Sequence, residues 1–204
     1  MESIKCVVVG DRVGKTSMLI KYTTQVFPTE TVPTVFDQFT VNLSVDDKPV
    51  TLNLCDSSGS ECYDRLRPMI YPRTDVCIIC FSLEEQSASF ENVQKKWWPE
   101  VNNYLPTTTT PIILVGTKQD VRDVQLLPEK IYESQVKGQK LAKDINAVKY
   151  MECSALEDIG LAEIFQKCIR VVRQPPSPHV RTKGNSEVLL PNYLRRFYSC
   201  CRLI

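Results

Sequence analysis

The sequence predicts an α/β protein with a mostly parallel six-stranded sheet and helices on both faces. Three observations carry that prediction. Strand-like and helix-like segments alternate from residue 4 to about 173, the pattern of parallel strands joined by helical crossovers. Val76–Phe81 and Ile112–Val115 are unbroken apolar runs, as expected of strands covered on both faces. The segments richest in Gly, Asp, Lys and Thr follow predicted strands, the edge where ligands bind in such sheets.

Taken in order, Ile4–Val9 reads as the first strand and residues 15–24 as the first helix. Val41, Leu43 and Val45 alternate with polar residues, as do Val50, Leu52 and Leu54. With Asp46-Asp47-Lys48 between them, the two runs predict an antiparallel hairpin. Phe90, Val93, Trp97 and Val101 mark one face of a helix in which Pro99 predicts a kink. Pro128-Glu129-Lys130 suits the start of a short helix. Val148–Cys153 reads as the last strand, and Leu161, Ile164, Phe165, Cys168, Ile169 and Val172 as the buried stripe of the last helix. Gln174-Pro175-Pro176-Ser177-Pro178 then signals a linker. The expected organisation is one domain over residues 1–173 and a flexible tail over 174–204.

A formal net charge of +1 gives no global attraction to nucleic acid. No apolar run is long enough to span a membrane, and Ile4–Val9 is too short for a secretory signal core, so a cytosolic chain is expected. In that compartment the nine cysteines read as thiols. Cys77 and Cys80 have metal-motif spacing but lie in an apolar strand, which favours core packing. His179, the single histidine, receives no role.

Gly10-Asp11-Arg12-Val13-Gly14-Lys15-Thr16 approximates a phosphate-binding loop but is one residue short of Gly-x4-Gly-Lys-Ser/Thr. Its plain alternative is a strand-to-helix turn that binds nothing. In Thr117-Lys118-Gln119-Asp120, the carboxylate of Asp120 suits the ring N–H and exocyclic amine of guanine, a pattern adenine lacks. The Lys118 stem suits the face of the base, and the Ala155 N–H its oxygen. The plain alternative for Asp120 is a solvated loop acid or helix cap.

Together with Tyr22-Thr23-Thr24, Val32–Asp37, Tyr63–Pro68, Phe81-Ser82-Leu83, Val115–Asp120 and Glu152–Leu156, these motifs resemble the Rho family of small GTPases in the Ras superfamily, most nearly its Rac-like branch. The resemblance runs from Ile4 to about Val172 and implies a phosphate-loop (P-loop) GTPase domain that binds GTP or GDP with Mg²⁺. It implies phosphate contacts from Gly10, Asp11, Arg12, Val13, Gly14, Lys15, Thr16 and Ser17, and from the Gly59 N–H. Base contacts are implied for Phe27, Thr117, Lys118, Asp120, Ser154, Ala155 and Leu156, and Mg²⁺ contacts for Thr16, Thr34 and Asp56. Thr31, Val32, Pro33, Thr34, Val35, Phe36, Asp37, Gln38 and Phe39 would form the effector surface. The implied partners are kinase or scaffold effectors, exchange factors, a GDP-dissociation inhibitor and membrane lipids. The implied protein is a monomer that signals in cytoskeletal, polarity or trafficking processes.

Several positions depart from that family. Ser60 replaces the glutamine that orients attacking water, so no catalytic residue is assigned. Arg12 replaces a small residue near the γ-phosphate, where it would crowd an incoming arginine or neutralise phosphate itself. Thr31 stands at a usual tyrosine, Cys55 at a large aromatic that contributes to exchange-factor choice, and Val121–Ser134 is shorter than the usual helical insert. Weak hydrolysis and a largely GTP-loaded state are expected. The open alternatives are a normally cycling enzyme with a rebuilt loop and a nucleotide-free interaction scaffold.

Cys201-Arg202-Leu203-Ile204 resembles a prenylation signal with Cys201 as acceptor and Cys200 as a palmitoylation candidate. One lipid anchors only reversibly, so the second thiol and Arg195-Arg196 would assist. The expected location is the cytoplasmic face of plasma or internal membranes, with a cytosolic pool.

Overall fold

From its first strand onward the chain alternates as expected. It runs β1 (Glu2–Gly10), α1 (Lys15–Thr24), β2 (Phe36–Val45), β3 (Lys48–Ser57), β4 (Val76–Ser82), α2 (Ser89–Asn92), α3 (Trp98–Tyr104), β5 (Ile112–Thr117), α4 (Gln119–Gln125), α5 (Pro128–Asp144), β6 (Lys149–Glu152) and α6 (Leu161–Arg173). This computed structural model describes residues 2–30, 34–84, 87–106 and 109–174. Thr31, Val32, Pro33, His179, Cys200 and Cys201 therefore lie outside the described residues.

One six-stranded sheet has the order β2-β3-β1-β4-β5-β6. Only β2 and β3 are antiparallel. Their turn residues Asp46 and Asp47 have φ of 53° and 59°. Two consecutive left-handed residues match the right-handed twist of the flanking strands and close a tight hairpin.

Side-chain alternation along β1 builds two cores. Cys6 and Val8 face α1 and α6, where they meet Met18, Leu19, Ile164, Phe165 and Cys168. Val7 and Val9 face the other side, with Trp97, Val101 and Leu141. Each fully buried Leu, Ile or Phe contributes roughly 1.5–3 kcal/mol through apolar burial. Every residue of β4 and β5 is buried, which explains their continuous apolar composition. Cys77 and Cys80 point into opposite cores, so no single ion can meet both.

One helical expectation takes a specific form and another is corrected. Where Pro99 predicts a kink, the helix passes through a π turn over Val93–Trp97, in which the Trp98 N–H donates to Val93 O. Pro99 cannot donate to the carbonyl four residues back, and its ring crowds that carbonyl. The wider turn absorbs both defects before α3 begins. The short helix expected at Pro128 is a 17-residue helix, α5, with the proline in its first turn. Gly138 lets α5 approach β6 closely, since a Cβ there would lie 2.2 Å from Tyr150 Cζ. Among the described residues, no helix is long and apolar enough to cross a membrane.

Candidate functional site

The shortened loop between β1 and α1 is folded against its own lysine. Gly10 has φ +143°, and a Cβ there would lie 2.3 Å from Cys80 O. Only glycine permits that approach. Gly14, with φ 86°, caps α1, and the Val13 N–H donates to Asp11 O at 2.9 Å. Lys15 is buried and its Nζ donates to Gly10 O at 2.7 Å and Asp11 O at 2.6 Å. An ammonium carries three N–H groups, so one is left for a further acceptor. Burial lowers the Lys15 pKa, and the nearby Asp56 carboxylate opposes that shift. Arg12 is solvent-exposed.

Next to Lys15, the structure gathers three oxygen-bearing side chains from separate segments. Thr16 Oγ1 donates to Asp56 Oδ2. Thr34 Oγ1 lies 2.7 Å from Thr16 Oγ1. Because the Thr16 proton is committed to Asp56, Thr34 is the donor in that second bond. Asp56 is fully buried, yet among the described residues its Oδ1 has no hydrogen-bond partner. Burial raises the Asp56 pKa. A buried acceptor without a partner costs about 1–3 kcal/mol. A hard divalent cation relieves that cost, and Mg²⁺ takes oxygen ligands from few carboxylates while keeping waters and substrate phosphates. Thr16, Thr34 and Asp56 fit such an ion.

A cavity of about 310 Å³ opens on the far side of the loop. That lies within the range of small-molecule sites, about 300–1,000 Å³. Val13, Gly14, Ser17, Phe27, Thr117, Lys118, Asp120, Ala155 and Leu156, all expected at the site, line it. Met18, Glu84, Val121 and Cys153, which sequence reasoning missed, line it too. Ser154 is buried behind the wall, where its Oγ accepts from the Glu157 N–H at 3.0 Å. Thr117 Oγ1 reaches Val13 O at 2.6 Å and Phe81 O at 3.0 Å, tying the loop to the end of β4. Gly10, Asp11, Arg12, Lys15, Thr16, Thr34, Asp56 and Gly59 do not line this cavity.

A model of the Ras family matches residues 5–174. The chain belongs to the Ras family. It is accordingly a small GTPase of the Ras superfamily, a nucleotide-binding switch whose family implies GTP or GDP with Mg²⁺ as ligands and effectors and exchange factors as partners.

In this Ras-family domain, contacts not foreseen from sequence join the loop to the segment after β3. A Cβ on Gly59 would lie 2.5 Å from Asp11 C and 2.6 Å from Gly10 O, so that segment rests directly on the loop. The Asp11 carboxylate accepts from Asn92 Nδ2 at 2.8 Å and from Trp97 Nε1 at 3.0 Å. The Arg67 guanidinium lies 4.7 Å from the Trp97 ring centroid. Its Nη1 donates to Ser58 O at 2.8 Å and its Nε to Glu100 Oε1 at 2.6 Å, while Nη2 meets Asp64. Tyr71 donates to the same Glu100 oxygen at 2.6 Å. By sequence, Trp97 reads as one more apolar member of a helix face. The available signal was its indole N–H, which needs an acceptor when buried.

A second cavity, about 360 Å³, lies between residues 35–36 and 57–70. Val35, Phe36, Tyr63, Leu66, Met69 and Ile70 give it an apolar wall. Of the expected effector surface, Val35 and Phe36 line this cavity, while Asp37, Gln38 and Phe39 continue along β2.

Proposed function

We propose that this Ras-family chain is a Rho-like, membrane-associated switch that binds GTP and GDP with Mg²⁺, hydrolyses GTP slowly and recruits effectors while GTP-loaded. The observation that carries the reading is the cluster of Thr16, Thr34 and Asp56 beside Lys15, with the unpartnered Asp56 Oδ1 at its centre. It joins the loop, the segment before β2 and the end of β3 at one point. When bound there, Mg²⁺ neutralises phosphate charge and holds phosphate oxygens in place.

The remaining roles belong to the chain's own groups. The third N–H of Lys15 donates to a phosphate oxygen. Backbone N–H groups at the start of α1 face the same charge. Asp120 accepts from the guanine edge, with Phe27 and the Lys118 stem against the ring. A third phosphate holds Thr34 and Gly59 in place, and its loss frees them. Ser60 is too short to orient water as a glutamine does, which slows hydrolysis. The Rho-like assignment rests on the resemblance of Val32–Asp37 and Tyr63–Pro68.

Removing the divalent cation tests the site. With fluorescent GDP bound to the full chain, EDTA is expected to accelerate release by about tenfold or more, since the loss of a charge-assisted contact of about 1.5–3 kcal/mol has that effect. A release rate unchanged by EDTA contradicts the cation site. Membrane attachment rests on Cys201, with Cys200 as a second lipid acceptor. Cys201→Ser is expected to move the protein to the soluble fraction. A variant that stays on membranes contradicts lipid anchoring.

A further inference from the structure

We propose that Glu84 is a positioning residue of the nucleotide cavity, holding Lys118 in place across the loop and so slowing nucleotide release. The proposal rests on the nucleotide reading above and adds a residue that the family resemblance does not assign.

Glu84 lies just beyond β4 and lines the same cavity as Asp120 and Phe27. Its Oε2 accepts from Lys118 Nζ at 2.6 Å and from Ser82 Oγ at 2.8 Å. The Ser82 hydroxyl oxygen also accepts from the Glu84 N–H at 3.3 Å, so the carboxylate is held from two sides. The Lys118 ammonium keeps that carboxyl below its usual range. Lys118 itself begins from a fixed backbone, with φ 59° in the left-handed region. Its stem then crosses the loop, since a Cβ on Gly14 would lie 4.0 Å from Lys118 Cε.

The lysine is therefore fixed at both ends, by its left-handed backbone and by the Glu84 carboxylate, and its stem passes beside Gly14. A free lysine side chain samples many rotamers, and fixing them on binding weakens affinity. Here the stem lies along the cavity wall before any ligand arrives. The pair is about a third exposed, 35% and 36% by side chain, so water and salt weaken its attraction. The preorganised stem, and not a deeply buried charge, is what the ligand meets.

Stopped-flow release of fluorescent GDP from the full chain tests the proposal. An exposed pair of this type predicts that Glu84→Gln releases GDP about two to five times faster. Glu84→Lys sets two ammonium groups together, and release on the order of tenfold faster is expected. Raising the salt concentration is expected to speed release more in the wild type than in Glu84→Gln, which keeps only the salt dependence of the phosphate contacts. Melting temperatures of all three proteins separate positioning from folding. A Glu84→Gln protein that melts lower yet keeps the full wild-type salt dependence of release overturns the proposal, because Glu84 is then only structural. Unchanged release in both variants, with tight GDP binding by the wild type, overturns the role of Glu84 and leaves the nucleotide site standing. A wild type that does not bind GDP overturns both.

Discussion

GTP hydrolysis by this protein is expected to rise by less than about tenfold when a Rho-type activating protein is added, where intact relatives gain on the order of 10⁵-fold. Catalysis of this kind depends on placing a water and stabilising charge, so a missing positioning group is not replaced by other chemistry. Ser60 stands at the entrance to a 3₁₀ turn, Glu61–Tyr63, with its N–H bonded to Ser58 Oγ at 3.2 Å. Its hydroxyl is one atom beyond Cβ, too short to reach where a glutamine amide would act. The loop compounds the loss, because one missing residue shortens the chain path by up to about 3.8 Å. Arg12 is exposed at that loop, where the Rho-like relatives carry a small residue. Single-turnover hydrolysis with and without the activating protein checks this. Ser60→Gln alone is expected to restore little, because the short loop remains. Strong stimulation of the unmodified chain contradicts the account.

The second large effect is expected inside the cavity itself. Asp120→Ala removes an acceptor for two hydrogen bonds to guanine, each worth about 1.5–3 kcal/mol when one partner is charged. The summed loss lowers affinity for GDP and GTP by about 10²–10⁴-fold. Asp120 lies in the first turn of α4 and lines the open cavity, outside the buried core. The variant is therefore expected to fold. Calorimetric titration checks the affinity, and a variant that binds GDP as tightly as the wild type contradicts the assignment of guanine recognition to this residue.

Much of this architecture was legible because burial on both sides of a sheet leaves an unambiguous trace. Val76–Phe81 and Ile112–Val115 could be little else than central strands, and α6 carries its buried stripe at clean helical spacing. The Asp46-Asp47 turn was legible from the alternation on either side of it. By contrast, α4 lacked such a trace, and α5 buries only Gly138, Leu141 and Ala142 along 17 residues. Its length comes from polar and charged residues that favour helix without marking a face. The π turn was not legible in detail, because Pro99 marks where the helix is interrupted and not which wider turn absorbs it. The bond from Trp97 to Asp11 was invisible too, because its partners lie 86 residues apart in the chain.

The site divides along the same line. Lys15, Thr16, Asp56 and Asp120 announce themselves because their residue types and spacing follow from the chemistry of a phosphate, a cation and a base. Glu84, Arg67 and Trp97 do not, because each has an ordinary alternative as a surface acid, a surface base or a core aromatic. What assigns them is position: Glu84 on Lys118, Arg67 on Ser58 O, and Trp97 on the loop carboxylate. The effect of the missing loop residue was also beyond sequence. The structure accommodates it between Gly10 and Gly14, both at positive φ, and keeps Lys15 folded back onto the loop carbonyls.

The most direct measurement is the identity of the nucleotide that accompanies the full chain through native purification. After denaturation, chromatography of the released small molecules is expected to show guanine nucleotide at close to one per protein, mostly GTP. GDP in its place contradicts the slow-hydrolysis reading, and adenine nucleotide or none contradicts a guanine-nucleotide switch.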